Sequence, residues 1–402
     1  MKVGGGSLFS QVLSVISRYQ FAGHVGRLGA ERYSKGFSCW DQFVAMLFCQ
    51  LAQAKSLREI TYGLSSCEGK LNHLGMSEAP KRSTLAYANA HRPWQLFERV
   101  FYDVLEDCQG IAPGKRFRFR NKLLSLDATV IDLCAEVFDW AKFRRTKGAV
   151  KLHLLLDHDG YLPRFAVLSE GRRHEIGMAR DLDLPAGSIV AMDRGYWDYE
   201  LFGQWTSAGV FFVTRMKAGA RYRVVYSAPV PRGSRILADE FIELSSPHGA
   251  RHCPRTLRRV VVWDPQQQRE IVLLTNHLEL GATTVSAIYR DRWQIELFFK
   301  ALKQNLKVKT FVGTSANALR IQIWTALIAM VLLKYLQFRS SLKWALSNLV
   351  ALVRWNLFTY RDLWTWLDKP FATAAQPPGD TQLLLAGWSL DSTRPMQGGK
   401  HP

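Results

Sequence analysis

The chain contains 402 residues, of which 48% are hydrophobic and 22% are charged. This balance excludes a disordered protein and a coiled coil, and the length is typical of two or three domains. Lysine and arginine number 53 against 34 acidic residues, which gives a formal net charge of +19. A charge of this size favours a polyanionic partner, such as nucleic acid or anionic lipid, over a small anionic substrate.

The six cysteines are far apart and form no CxxC pair, which indicates reduced thiols rather than disulfides or a zinc site. The N-terminus has no continuous apolar segment of the kind found in signal peptides. The most apolar run, residues 323–333, is shorter than the ~20 residues that span a membrane. We therefore expect a cytoplasmic protein in which this run is a buried core helix.

Residues 8–110 have the apolar spacing of helices, as where Phe43, Leu47 and Leu51 recur on one helix face. This stretch of sequence contains no metal-ligand or nucleophile motif. We predict a helical N-terminal domain over residues 1–115, with either a structural or a DNA-binding role.

From residue 116 the pattern changes to short apolar runs separated by turns, which is typical of strands. The predicted strands are residues 123–133, 149–157, 161–168, 188–193 and 210–214, with helices at 174–182 and up to residue 207. The order strand-strand-strand-helix-strand-helix-strand is that of an RNase H-like mixed sheet with flanking helices.

Residues 216–280 interrupt this order. They are rich in Arg, Val, Pro and Ser, with predicted strands at 222–226, 257–263 and 270–275, and so indicate an all-β insertion. Helical spacing returns at residue 284. The predicted α/β fold thus has an RNase H-like domain at 116–215 and 281–367, a β-strand insertion subdomain at 216–280, and a partly disordered tail at 368–402.

Two aspartates lie in or at the end of apolar strands. Asp127 is inside the run 123–133, where a charged aspartate is costly unless it is paired or bound to a cation. Asp193 ends the run 188–193, at the strand edge where open α/β sheets bind ligands. Each alone could be an ordinary strand-end or turn aspartate. The RNase H-like order makes their strands adjacent, and two carboxylates at close range favour Mg²⁺ or Mn²⁺ between them.

The third acidic candidate lies on a helix predicted over residues 288–308. An arc of about 80° on this helix carries one acidic residue among cations and a tyrosine. Its members are Tyr289, Arg292, Glu296, Lys300 and Lys303. A separate apolar stripe, suited to packing on the sheet, consists of Ile288, Ile295, Phe299, Leu302 and Leu306. A solvated charged face with an Arg292–Glu296 ion pair would give the same arc.

The spacing Tyr289-x2-Arg292-x3-Glu296-x6-Lys303 resembles the Y-x2-R-x3-E-x6-K pattern of bacterial insertion-sequence transposases of family four, which carry a DDE triad. Upstream, residues 126–129 (LDAT) and 192–196 (MDRGY) match the motifs of the two aspartates. The resemblance covers roughly residues 40–360 and includes the β insertion between the second aspartate and the glutamate.

The resemblance implies that Asp127, Asp193 and Glu296 are the catalytic residues and bind two Mg²⁺ or Mn²⁺ ions. It also implies that Arg292 and Lys303 hold DNA phosphates and that Tyr289 contacts the DNA end. Arg194 and Lys300 complete the predicted DNA-binding set. Members of this family flip a base onto an aromatic residue, which here could be Trp197, Trp205 or Trp293; the spacing does not select among them.

The function implied is cut-and-paste DNA transposition: binding of terminal inverted repeats, metal-dependent cleavage, and strand transfer to target DNA. The expected assembly is a homodimer on paired ends, in the bacterial cytoplasm at the nucleoid. Two alternatives stay open, namely an inactive transposase-derived DNA-binding protein and an RNase H-like nuclease that only hydrolyses DNA.

Overall fold

The computed structural model describes residues 6–32, 34, 36–67, 69–114, 117–134, 142–144, 147–170, 175–306 and 311–372. The tail from residue 373, predicted as partly disordered, lies outside these residues. The described helices are α1 (Leu8–Leu13), α2 (Arg18–Leu28), α3 (Cys39–Leu51), α4 (Leu57–Ser65), α5 (Arg82–His91), α6 (Gln95–Gly110), α7 (Glu175–Arg180), α8 (Tyr199–Ser207), α9 (Pro247–His252), α10 (Ala282–Asp291), α11 (Trp293–Asn305), α12 (Ala316–Arg339), α13 (Leu346–Asn356) and α14 (Leu363–Asp368). The described strands are β1 (Leu123–Cys134), β2 (Lys142–Arg144), β3 (Lys147–Asp157), β4 (Leu162–Glu170), β5 (Ile189–Met192), β6 (Phe211–Arg215), β7 (Tyr222–Ser227), β8 (Ile236–Leu244), β9 (Leu257–Asp264) and β10 (Arg269–Thr275).

The strands form one mixed sheet whose first half has the order β4-β3-β1-β5-β6. β1, β3 and β4 pair antiparallel, whereas β5 is parallel to β1 and β6 is parallel to β5. Parallel neighbours need a crossover, and α7 precedes β5 while α8 joins β5 to β6. This arrangement confirms the predicted strand order and the mixed sheet with flanking helices.

Helices cover both faces of these strands. Alternate strand residues point to opposite faces, so each face presents its own set of side chains to the helices that pack on it. On one face Phe202 of α8 stacks on Phe212 of β6, with ring centroids 4.3 Å apart. On the other face, Val285 and Ile288 of α10 are fully buried in a core cluster with Ile189 of β5. The strands therefore have apolar side chains on both faces, as their continuous apolar runs predict.

The insertion predicted as all-β extends the same sheet, but it also contains a helix, α9, so the prediction was wrong in this respect. α9 has only six residues, which is too short to show helical periodicity in the sequence. β10 pairs antiparallel with β6, and β9, β8 and β7 follow in order to the edge. The prediction missed β8, whose sequence ILADEFIEL carries three acidic residues that weaken its apolar pattern. These residues form cross-strand pairs with arginines: Asp239 with Arg258, Glu240 with Arg259, and Glu243 with Arg223.

The N-terminal helices share one apolar core with the last helices of the chain. α12 packs on α3, α5 and α6, and Trp324 lies 5.2 Å from Phe101 and 6.4 Å from Trp94 between ring centroids. Among the described residues α12 is the single helix long and apolar enough to span a membrane, but 83% of its most apolar stretch is buried inside the protein. The prediction of a buried core helix at residues 323–333 is confirmed, and the division into domains stays a prediction.

Candidate active site

The two aspartates lie side by side where β1 and β5 meet. Leu126 is in register with Met192 across the parallel pair, so Asp127 and Asp193 each follow the paired residues by one position. A side-chain oxygen of Asp193 accepts a hydrogen bond at 2.7 Å from the N–H of Gly195, in the turn that follows β5. β1 continues to Cys134, so it is the parallel register with β5, rather than a common strand end, that brings both carboxylates to one place.

The helix predicted over residues 288–308 is not continuous: α10 ends at Asp291 and α11 begins at Trp293. The N–H of Ile295 donates to the carbonyl of Arg292, three residues back, so the chain tightens here relative to an α-helix. Asp291 is buried in contact with His158, a constraint from outside the helix that its own sequence does not reveal. The predicted apolar stripe from Ile288 to Leu306 is buried nevertheless.

Arg292, at this break, connects the acidic residues. Its guanidinium lies 2.5 Å from the Oε1 of Glu296 and 3.4 Å from the Oδ2 of Asp127. The same guanidinium lies over the ring of Tyr289, 5.6 Å from its centroid. Arg292 is buried rather than solvated, so the alternative of a solvent-exposed charged face does not hold for this residue.

Burial raises the pKa of Asp127 to about 6. The carboxylates of Asp193 and Glu296 also raise it, whereas the N–H of Ala128 and the guanidinium of Arg292 lower it. Three acidic groups therefore interact at Asp127, and this repulsion is relieved only in part by one arginine. Perturbed carboxylates of this kind are typical of functional sites.

Tyr289 joins the same cluster. Burial raises its pKa, and the charges of Arg292, Arg215 and Asp193 act on the same hydroxyl. Arg215 is the last residue of β6, which is parallel to β5, and sequence reasoning did not select it. The sequence did contain a signal for Arg215, because this cation directly follows the apolar run VFFVT just as Asp193 ends the apolar run of β5.

The remaining predicted DNA-binding residues differ in their surroundings. The Nζ of Lys303 donates to the carbonyl of Val130 at 2.8 Å and so ties α11 to β1 beyond Asp127. Lys300 is exposed on α11, one turn after Glu296, and Arg194 is exposed next to Asp193.

Exposure distinguishes the three tryptophans. Trp197 and Trp205 are buried in the core on the α8 face of the sheet. Trp293, adjacent to Arg292, is 55% exposed. A base can stack only on an accessible ring, so Trp293 is the one of these three that could receive it.

Asp127, Asp193 and Glu296 all offer carboxylate oxygens, which are the ligands that hard divalent cations prefer. Within the described residues, no three His, Cys, Asp or Glu side chains are gathered closely enough to hold a metal ion. Arg292 contacts two of the three carboxylates in this state. A cation that bound all three would compete with that guanidinium.

Comparisons with known proteins agree on the kind of protein. Residues 118–332 match the family model "Transposase DDE domain", and residues 5–77 match a domain of unknown function, DUF4372. "Putative transposase y4zB" of Sinorhizobium fredii is 31% identical over 297 residues, which cover 71% of this chain and 80% of that protein. "Probable transposase for insertion sequence element IS5377" of Geobacillus stearothermophilus is 28% identical over 255 residues, 63% of this chain and 67% of that protein.

Among solved structures, the cryo-EM structure of the piggyBac transposase synaptic complex with hairpin DNA aligns with a TM-score of 0.45 and 11% identity. The alignment covers 88% of this chain and 79% of that one. The family match over more than half of the chain and the 31% identical relative confirm the resemblance found in the sequence. The chain belongs to the DDE transposases of insertion sequences, and its function is DNA transposition.

Proposed function

We propose that this transposase cuts and joins DNA with an RNase H-like core in which Asp127, Asp193 and Glu296 bind two Mg²⁺ or Mn²⁺ ions. The observation that carries the proposal is geometric: Asp127 and Asp193 each follow the paired residues Leu126 and Met192 by one position, and Arg292 contacts both Asp127 and Glu296. The strand order β4-β3-β1-β5-β6, with three antiparallel and two parallel strands, supports the RNase H-like core.

When bound, two such ions would activate the attacking water or 3′-hydroxyl and stabilise the leaving oxygen of an in-line displacement. Asp127 and Asp193 would hold them from β1 and β5, and Glu296 from α11. Because β1 and β5 are central strands, these two ligands are attached to the most constrained part of the sheet. Ligands on rigid elements keep the geometry that phosphoryl transfer requires.

Arg292 has two roles in this proposal. Without DNA it neutralises Asp127 and Glu296, which would otherwise repel each other. Among the described residues its Nε has no hydrogen-bond partner although it is buried. A guanidinium binds a phosphate through two parallel N–H donors. Arg292 would therefore turn from the carboxylates to a DNA phosphate once cations neutralise the acidic residues.

The other residues would bind the DNA around the cut. Tyr289 and Lys303, with the exposed Arg194 and Lys300, would contact phosphates or the DNA end, and Trp293 offers a ring on which a flipped base stacks. The net charge of +19 would supply much of the affinity by counterion release. The DNA partners would be terminal inverted repeats and target DNA, in the bacterial cytoplasm at the nucleoid.

A homodimer on two paired ends would coordinate the reaction, with residues 1–115 as the DNA-binding domain and residues 216–280 as an insertion subdomain. The mass of the complex with end DNA tests this assembly. A stable and active complex of one protein with one end would refute it.

The catalytic assignment is tested with Asp127→Asn, Asp193→Asn and Glu296→Gln, assayed on duplex DNA carrying the ends of the element. Each variant should still shift end DNA but should neither nick nor join it in Mg²⁺ or Mn²⁺. Glu243→Gln removes a half-exposed carboxylate on β8 and serves as the matched control, with parental activity expected.

Full cleavage by any one variant would remove that residue from the site. Full cleavage by all three would end the proposed mechanism. Cleaved but never joined products from the parent protein would favour a nuclease that only hydrolyses DNA.

A further inference from the structure

A buried chain of hydrogen bonds joins three segments that are far apart in sequence. Ser125 of β1, His158 in the turn after β3 and Asp291 at the end of α10 are 0%, 4% and 6% exposed. The Oγ of Ser125 lies 2.7 Å from the Nε2 of His158, and the Nδ1 of His158 lies 2.7 Å from the Oδ2 of Asp291. The hydroxyl of Tyr161 donates to the same carboxylate at 3.2 Å.

The residue types are those of a hydrolytic triad, but burial excludes that role. No scissile bond can reach the Oγ of Ser125, because the residue is completely buried. With a neutral ring, the Nδ1–H of His158 donates to Asp291 and the Nε2 accepts from the Ser125 hydroxyl. The chain of bonds is thus satisfied internally, and it links three elements of the fold.

These three elements also carry or support the carboxylate site. Ser125 and Asp127 are two residues apart on β1, so their side chains leave the same face of the sheet. Asp291 directly precedes Arg292, which contacts Asp127 and Glu296. The hydrogen-bonded chain and the acidic cluster are therefore two neighbouring links between β1 and the junction of α10 with α11.

The turn that carries His158 is itself held firmly. The N–H of His158 donates to the carbonyl of Leu123 at 3.1 Å. Gly160 has a φ of 77°, and a Cβ at this position would lie 3.0 Å from the ring of Phe338 and 3.1 Å from the Cβ of Ala112. Because no larger residue fits this turn without strain, the imidazole has a fixed base from which to hold Asp291.

We propose that Ser125, His158 and Asp291 are positioning residues that hold the first turn of α11 against β1 and so keep Glu296 within reach of the ions bound by Asp127 and Asp193. This inference rests on the proposed metal-dependent function. α11 begins two residues after Asp291, so a shift of Asp291 is passed directly to Glu296. Residues that orient metal ligands typically change affinity or activity by about 10- to 100-fold when they are replaced.

The test is His158→Gln in the full-length protein. Binding of Mn²⁺ to the protein alone is measured by the spin-resonance signal of the free ion, and cleavage of end DNA is measured against Mn²⁺ concentration. We expect about a tenfold or greater rise in the Mn²⁺ concentration needed for half-saturation in both assays. At saturating Mn²⁺ the cleavage rate should approach that of the parent.

Asp291→Asn is the conservative variant, because it keeps an acceptor oxygen of the same size at the same place. It should retain more of the Mn²⁺ affinity than Asp291→Leu, which keeps none. If the His158–Asp291 pair had only a structural role, both variants would have a lower melting temperature but would need the same Mn²⁺ concentration for half-saturation.

A matched control exists in the N-terminal helices. The Nε2 of His24 lies 2.6 Å from the Oδ2 of Asp103, so α2 and α6 are also joined by a His–Asp pair. His24→Gln should lower the melting temperature without moving the Mn²⁺ titration. An equal rise in the half-saturating Mn²⁺ concentration for His24→Gln would overturn the inference, because the loss of any His–Asp pair would then weaken Mn²⁺ binding.

If His158→Gln does not fold, Ser125→Ala replaces it, since that change removes a single hydroxyl from the same chain of bonds. A titration identical to that of the parent in the folded variant overturns the inference and leaves the proposed function intact. A parent protein that binds no Mn²⁺, together with an Asp127→Asn variant that still cleaves, refutes the proposed function and the inference with it.

Discussion

Replacement of Arg292 by methionine should separate its two roles. In the absence of divalent ions the change leaves Asp127 and Glu296 without the cation that lies between them. Removing one partner of a fully buried ion pair costs about 3–5 kcal/mol. The side chains of Asp127 and Glu296 keep 19% and 33% of their exposure, so water screens them in part. We therefore expect a loss of about 2 kcal/mol in the free energy of unfolding.

The same substitution should increase the affinity for Mn²⁺, because the ion no longer competes with the guanidinium for the carboxylates. Each tenfold gain in affinity returns about 1.4 kcal/mol to the variant at saturating Mn²⁺. Urea unfolding near neutral pH, in chelator and in Mn²⁺, measures both effects. Arg194→Met is the control, since Arg194 is exposed and its loss should change stability by less than about 0.5 kcal/mol in either condition.

The result that refutes this reasoning is an equal loss of stability with and without Mn²⁺. Arg292 would then be a structural cation whose position the ions do not share. An Mn²⁺ affinity lower than that of the parent would refute it as well, since that outcome would make Arg292 a support of the metal ligands rather than their competitor.

Three further predictions concern stability and DNA contacts. Asp239→Ala removes the partner of the buried Arg258 and should cost about 3–5 kcal/mol in urea unfolding, whereas Glu243→Ala, at an exposed pair, should cost less than about 1 kcal/mol. Equal costs would refute this grading by burial. Burial lowers the pKa of Lys334, so the charged form of this residue destabilises the fold. The free energy of unfolding should therefore rise with pH between that lowered pKa and 10.5. Lys334→Met should be more stable than the parent at neutral pH, and the difference in free energy of unfolding should shrink at alkaline pH. A margin independent of pH would contradict the pKa argument. Trp293→Ala should weaken complexes with cleaved ends while Mn²⁺ binding stays parental, and unchanged end complexes would exclude the stacking role.

The sequence predicted the features that depend on neighbouring residues. An aspartate inside an apolar run identified Asp127, and the strand order made Asp193 its neighbour. β8 was missed because its acidic residues appear unfavourable in a strand until their arginine partners on β7 and β9 are known. A single sequence does not contain that pairing.

Contacts between distant residues account for the other differences. The helix break at Arg292 accompanies the burial of Asp291 against His158, a residue 133 positions away in sequence. Helical periodicity describes only what one helix does alone, so it predicts the apolar stripe correctly and does not detect the break. The role of Arg292 as a cation between two carboxylates also depends on β1, which lies 165 positions upstream.

The shared core of the N-terminal helices and α12 sets an order of events during synthesis. α6 ends at Gly110 and α12 begins at Ala316, so 205 residues separate the two elements. At about 5–20 residues per second, the ribosome needs roughly 10–40 s to make the partner that covers α3, α5 and α6. Until then the side of α6 that carries Phe101 and Cys108 has no α12 to pack against. A nascent or truncated chain that stops before α12 would therefore present an apolar surface to chaperones and proteases.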